Sequence, residues 1–261
     1  MLRAVPSTPT IPWRGRIFLD AGWILYVGPG SSADLHSHHA VQLVWSLNGH
    51  VHIRIDAAAH ERRAVLIPAN TPHTLVAVDR TIALLLVEPN GERGVALERV
   101  ARSDVGAEQA TKLTTIAFPT ADITNTQARA WFSDVLRCLG TSPAQPELSS
   151  VSRRAIAYVE RVIDGVPRVA DAAAAVRLSP TRLTHIFSKE VGIPFRRFVL
   201  WTRIKRAVDV FQAGNDLSTS AIAAGFSDAA HFSRTFRAMF GLSPSLVLPI
   251  AEISGTAWSA P

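Results

Sequence analysis

"LSPTRLTHIFSKEVGI" (residues 178–193) and "FSDAAHFSRTFRAMFGL" (226–242) are two versions of one pattern, and that reading decides the fold of the second half of the chain. A shift of 49 residues places Ala175 on Ala224, Leu183 on Phe232 and Phe187 on Phe236. The same shift places Val191 on Phe240, Gly192 on Gly241 and Ile193 on Leu242. Each unit reads as a short alanine-rich helix, a turn and a second helix. Ser179 in the first, and Ser227 or Asp228 in the second, suit the N-cap, where a short oxygen-bearing side chain accepts from an otherwise unpaired helical N–H. Pro180 suits the first turn, because the N–H it lacks would have no intrahelical partner there. A helix-turn-helix duplicated within one basic region points to DNA.

Between the units runs "FRRFVLWTRIKRAVDVFQAG" (195–214), which predicts one helix ending at Gly214. About nineteen residues at 1.5 Å each give ~28 Å. That approaches the ~34 Å between successive major-groove faces of B-DNA, so one rigid helix can hold two recognition helices on the same side of a duplex. Arg196, Arg197, Arg203, Lys205 and Arg206 all precede its first acid, Asp209, which suits phosphate contact. The net charge of +6 is divided the same way. Residues 1–149 hold 13 basic and 13 acidic side chains, and residues 150–261 hold 14 and 8. A polyanionic partner for the second half fits this split. A merely soluble basic surface would give the same count.

The remaining composition sets bounds. With 261 residues, 48% hydrophobic and 18% charged, the chain reads as globular and long enough for two cores. The opening MLRAVPSTPTIPW has no apolar stretch of the kind a secretory signal needs. The longest apolar run, IALLLV (82–87), is too short for a bilayer and reads as a buried strand. Cys138, the single cysteine, cannot form an intramolecular disulfide. The expectation is a cytoplasmic, reduced setting with no membrane association.

From Arg16 to Glu88 the texture is strand-like. "VQLVWSL" (41–47) and "HVHIRID" (50–56) flank Asn48-Gly49, which predicts a two-residue hairpin. Val51, Ile53 and Ile55 alternate with His52 and Arg54, the period of a half-buried strand. "AVLIP", "HTLVAV" and "TIALLLV" continue as short strands, and the series predicts an antiparallel sandwich or small barrel. Beyond Pro89 helical patterns take over. Ala128, Trp131, Phe132, Val135, Leu136 and Leu139 form one stripe ending at Gly140, which suits either core or a contact with a second copy. "TSPAQPELS" (141–149) reads as a linker.

The paired units, with the second reading G-F-S-D-x-x-x-F-S-R-x-F-R-x-x-F-G-x-S-P over 225–244, closely resemble the DNA-binding domain of AraC-type transcriptional regulators. The likeness covers about a hundred residues. It implies a bacterial regulator, commonly with an N-terminal cupin-like domain for ligand binding and dimerisation. By position, Leu183 and Phe187 become core, leaving Thr181, Arg182, Thr184 and His185 for the groove. In the second unit Phe232 and Phe236 are core and Ala230, His231, Ser233 and Arg234 take the matching places. Arg234 can bond guanine O6 and N7 together, or clamp a phosphate. Arg237 and Arg203 read as phosphate contacts. The implied partners are promoter DNA, RNA polymerase, a small-molecule or metal effector, and a second copy of the chain.

The cupin comparison gives context to "HSHHAVQ" (36–42). Gly30, His36, His38, Gln42 and Gly49 occupy the places of G-x5-H-x-H-x3-E-x6-G, with Gln42 where the glutamate stands. Pro68 and His73 fit P-x-G-x2-H-x3-N, with Asn70 and Ala77 replacing its glycine and asparagine. The resemblance brings His36, His38 and His73 to one pocket beside Gln42. Two readings stay open: a divalent-metal site, and a metal-free pocket lined by the histidines. The losses at Gln42 and Ala77 weigh toward the second. Phe18, Trp23 and Trp45 are either pocket lining or core, and Asp34 and Glu61 read as turn residues.

The expected fold class is α+β in two domains: an N-terminal antiparallel, cupin-like β-barrel and a C-terminal all-α domain with two helix-turn-helix units. The expected boundaries are 1–93 for the sensing domain, 94–140 for a helical packing and dimerisation segment, 141–149 for the linker and 150–250 for the DNA-binding domain. The competing class is a cupin metal-dependent oxygenase fused to a helical domain. The duplicated DNA-binding pattern and the absence of an acid–base pair beside the motif argue against an enzyme.

Overall fold

A computed structural model of the chain describes residues 15–55, 58–103, 112–141, 148–249 and 252–254. The first half folds as two sheets. The larger has the order β10 (Glu252–Ser254), β1 (Arg16–Asp20), β2 (Trp23–Pro29), β9 (Thr81–Val87), β4 (Val41–Ser46) and β7 (Ala64–Ile67). The smaller has the order β3 (Ser32–His36), β8 (His73–Val76), β5 (Val51–Ile55) and β6 (Ala58–Arg62). Neighbours are antiparallel except β1 and β10, which run parallel.

The larger sheet is buried on both faces, which is why its strands read as unbroken apolar runs. Trp23, Leu25, Leu43, Trp45, Ala83 and Leu85 share one core with the stripe Ala128, Trp131, Phe132, Val135, Leu136 and Leu139. That stripe lies on α2 (Asn125–Cys138), with α1 (Glu92–Ala101) adding Leu97. Thr124 and Gln127 close a reciprocal cap at the start of α2, and Gly140 supplies the positive φ, +68°, just past its end. Trp45 stacks on Trp131 with centroids 6.1 Å apart, and Trp23 meets Phe132 at 5.2 Å. The stripe is therefore core and leaves no open face there for a second copy. Phe18, Trp23 and Trp45 likewise lie beneath α2, and the alternative that they line an effector pocket is set aside.

The other face of the sheet carries Ile17, Leu19, Ile24, Tyr26, Leu84 and Leu86. Its core is shared with Ile53 and Leu75 of the smaller sheet and with the helical half.

Two sequence expectations fail here. Asn48-Gly49 makes a turn with φ +86° at Gly49, but β4 and β5 are not hairpin partners: β4 pairs with β7 and β9, and β5 with β6 and β8. The turn carries the chain from one sheet to the other. Asn48 holds it by accepting from the Thr81 N–H at 2.7 Å and donating to the Asp79 carbonyl at 3.3 Å. The cause is burial: all six residues of β4 are buried, whereas β5 exposes alternate residues and needs only one covered face. Asp34 and Glu61, read as turn residues, lie in β3 and β6.

The second half is helical: α3 (Ser150–Arg161), α4 (Val169–Ala175), α5 (Pro180–Val191), α6 (Phe195–Gln212), α7 (Leu217–Ala223), α8 (Ala229–Phe240) and α9 (Pro244–Val247). The repeat is carried into the details of capping. Ser179 and Asp228 each accept from a backbone N–H three residues on, and Gly192 and Gly241 end α5 and α8 at φ +79° and +78°. The 18-residue α6 joins the units. Most of the expected linker, 142–147, lies outside the described residues. Among the described residues no helix is long and apolar enough to cross a membrane.

Candidate functional site

The two second helices present matching faces. On α5, Leu183 and Phe187 are wholly buried, while Thr181, Arg182, Thr184 and His185 are exposed. On α8, Phe232 and Phe236 are buried, Ala230, Arg234 and Arg237 are exposed, and His231 and Ser233 are half-buried. Helical periodicity dictates this division, since residues three and four apart share a face.

Not all the polar side chains reach outward equally. The Thr184 hydroxyl donates to the Pro180 carbonyl at 2.9 Å. The His231 ring stands edge-on to Phe226, centroids 5.3 Å apart, with Nδ1 3.2 Å from the Ser227 hydroxyl. Asp228 accepts from the His231 N–H, and these cap bonds hold its carboxyl below the usual range. Arg182, His185, Arg234 and Arg237 are the long exposed side chains of the two faces.

Helix α6 departs from its expected role. Arg196 and Arg206 are exposed, but Lys205 is buried and bonded to Asp209 at 2.6 Å. Arg203 donates to the Gly165 carbonyl at 2.8 Å and packs on Gly225. Arg197 is paired with Glu88, so both it and Lys205 are already engaged by carboxylates of the protein itself. A helix between two units must pack on both, and that packing takes up much of its surface.

Glu88 went unremarked in the sequence, yet it is the polar centre of the junction between the halves. Its side chain is fully buried at the end of β9 and accepts from Arg197 Nε at 2.8 Å, Trp201 Nε1 at 3.2 Å and Asn90 Nδ2 at 2.8 Å. His39 Nε2 lies 3.2 Å from Oε1, the oxygen that Asn90 also reaches, while Arg197 and Trp201 share Oε2. Burial alone would raise this carboxyl; the bonds from His39, Arg197 and Trp201 and the Arg197 charge outweigh it and hold it down at about 2. A charged residue directly after an apolar run buried on both faces was the available signal.

His36, His38, Gln42 and His73 do come together. His36 closes β3 opposite His73 at the start of β8, and Gln42 sits on β4. Ring centroids are 4.3 Å apart for His36–His73, 5.2 Å for His38–His73 and 5.6 Å for His36–His38. Each Nδ1 faces a main-chain carbonyl: Asp34 at 2.7 Å, Ala40 at 3.1 Å and Thr71 at 2.9 Å. A neutral ring donating there keeps its lone pair on Nε2, the arrangement found behind metal-bound histidines. His39 points elsewhere, to Glu88 and Asn90.

Two atoms in this pocket are poorly served by protein alone. Among the described residues, His73 Nε2 is buried with no hydrogen-bond partner. His38 Nε2 and Gln42 Oε1 lie 2.5 Å apart, although both are acceptors when His38 donates through Nδ1. Turning the amide would relieve the second conflict, and a cation would relieve both. Burial, aided by the His36 ring and opposed by the Gln42 bond, lowers His38; burial, aided by both neighbouring rings, takes His73 down to about 4. One ligand atom from each of the three histidines lies within 4.8 Å of the others. Three imidazoles and an amide oxygen suit Zn, Fe, Ni or Cu, and this donor set fits a divalent transition metal.

Comparison with known proteins bears on the helical half. Residues 172–248 match a helix-turn-helix domain family. The transcriptional activator RhrA of Rhizobium meliloti is 32% identical over 124 residues, 44% of this chain and 39% of that protein. The arabinose operon regulatory protein of Escherichia coli is 31% identical over 102 residues, 38% of this chain and 35% of that one. The match thus spans less than two fifths of these relatives' length. ToxT of Vibrio cholerae aligns over 88% of this chain and 98% of its own, at 15% identity and a TM-score of 0.45. With its doubled units, each second helix capped by a side-chain oxygen and ended by a left-handed glycine, the helical half of this chain belongs over residues 172–248 to that helix-turn-helix domain family.

Proposed function

We propose that this chain is a sequence-specific transcriptional regulator that binds promoter DNA through α5 and α8 and senses an effector in its β-sheet half. The observation that carries the reading is the pair of exposed polar faces, 49 residues apart and joined by one helix. Thr181, Arg182, Thr184 and His185 are the groove-facing residues of the first unit, and Ala230, His231, Ser233 and Arg234 those of the second. Arg237 contacts phosphate. Arg203 acts mainly as a strut for α6 and meets DNA only at its edge. The effector is a divalent metal or a small molecule held at His36, His38, Gln42 and His73, and the unserved Nε2 of His73 favours the metal. RNA polymerase and a second copy of the chain complete the partners, in the cytoplasm.

The full chain should bind its promoter with affinity that falls steeply as salt rises, because each phosphate contact releases counterions. Arg234→Ala should cost about 1–3 kcal/mol and relax preference at one base pair. A uniform loss on all sequences with a shallower salt slope would make Arg234 a phosphate contact instead. Affinity that does not respond to salt would sink the DNA-binding reading.

The sensing half has its own test. Protein purified without chelator should carry near-stoichiometric metal by elemental analysis, lost in His36→Ala combined with His73→Ala. A wild-type protein that takes up no added zinc, nickel or iron leaves only the small-molecule effector.

A further inference from the structure

Both recognition helices lean on the β-sheet half by their C-terminal turns. The Gly192 carbonyl, at the end of α5, accepts from the Glu92 N–H at 2.9 Å. The Ala238 carbonyl, in the last turn of α8, accepts from the His39 N–H at 2.8 Å. The second bond comes from within the histidine segment itself, and it satisfies a helix-end carbonyl that has no intrahelical partner.

The cap of α8 lies closer still. A Cβ built on Gly241 would stand 2.6 Å from His36 Cδ2, 2.9 Å from His36 Nε2 and 3.0 Å from His38 Cδ2. With φ at +78° and two histidine rings against it, the Gly241 position favours glycine, and the end of α8 roofs the histidine pocket there. Gly192, its counterpart one repeat earlier, has the same left-handed backbone and, among the described residues, nothing within 4 Å of such a Cβ. The contact is therefore specific to the second unit and is not a consequence of the cap geometry.

We propose that a divalent cation held by His36, His38 and His73 is read directly by the second helix-turn-helix unit, through the C-terminal turn of α8 that closes the pocket at Gly241. This rests on reading the pocket as a metal site. The C-terminus of a helix is the negative end of its dipole, and a cation beside it is favoured. Neutral imidazoles offer that end little, whereas a dication offers it a full charge. Metal thus seats α8 more firmly on the β-sheet half, and by linkage a seated α8 tightens metal binding by the same factor. Arg234 and Arg237 lie on the same helix, so their placement on DNA follows the seating.

Hydrogen exchange on the full chain, with and without zinc, tests this. Zinc should slow exchange both in segment 36–42 and in the end of α8 around 237–243, and His36→Ala should abolish both effects. Gly241→Ala should weaken zinc binding about tenfold, within the usual range of coupling between sites, while Gly192→Ala, with the same backbone strain, should leave it unchanged. Protection confined to 36–42, or equal zinc affinity in the two alanine variants, would overturn the coupling and leave the metal site standing. Zinc that binds neither wild type nor variant would overturn the metal reading and the coupling with it.

Discussion

Replacing Glu88 by alanine should loosen the helical half from the β-sheet half by about 3 kcal/mol, the lower end of the cost of breaking a buried ion pair. The lower end applies because the Arg197 side chain keeps 23% exposure and recovers some solvation, while Glu88 has none. Trp201 Nε1 loses its acceptor in the same step, and Trp201 is fully buried. The expected readout is a single thermal transition splitting into two, with little change in the DNA-facing residues. Glu88→Gln keeps an acceptor and should lose less.

The same residue sets a pH dependence. Its carboxyl titrates at about 2 in the folded chain against an ordinary 4.5, so the unfolded chain binds the proton more readily. The stabilisation is complete above about pH 4.5 and disappears as the pH falls from there toward 2. Wild type should lose seating across that window and Glu88→Gln should not. If Glu88→Ala melted as one transition at the wild-type temperature, Glu88 would contribute nothing to the junction.

The larger effect belongs to Phe232→Ala, which should destabilise the helical half by about 3–5 kcal/mol. Phe232 is wholly buried, with ring centroids 5.1 Å from Phe226 and 5.8 Å from Phe236. It joins the turn to the recognition helix, so the void left by alanine has aromatic walls on two sides that cannot close without moving α8. Phe232→Leu, which copies Leu183 of the first unit, should cost less than about 1.5 kcal/mol because most of the volume is kept. Denaturant unfolding separates the two variants. A loss near zero for alanine would mean that the turn repacks freely and that Phe232 is not the pivot of the unit. Promoter affinity should fall with Phe232→Ala even though the side chain never meets DNA, since Arg234 is carried on the same turn of helix.

The features legible in the sequence are those settled by near neighbours. The caps Ser179 and Asp228, the helix-ending glycines 140 and 214, the alternation of Val51 and Ile53 and the stripe on α2 depend on residues within a few positions. The spacing of each is written directly in the chain. The three-histidine cluster was reached another way, through a motif whose residues close only when β3 and β8 pair. The unpaired Nε2 of His73 was not legible at all, because a buried atom without a partner among the described residues has no spacing by which to announce itself.

By itself the sequence determined the α+β class and the doubled helix-turn-helix, because helical period and capping are local, while the residues of the two outward faces came with the family resemblance. Only the tertiary structure decided that Asn48-Gly49 crosses between sheets, that Arg197 serves Glu88 109 residues away, and that Gly241 closes over His36. Each of these depends on which buried surfaces meet. Burial is a property of the folded pair, and no single segment carries it.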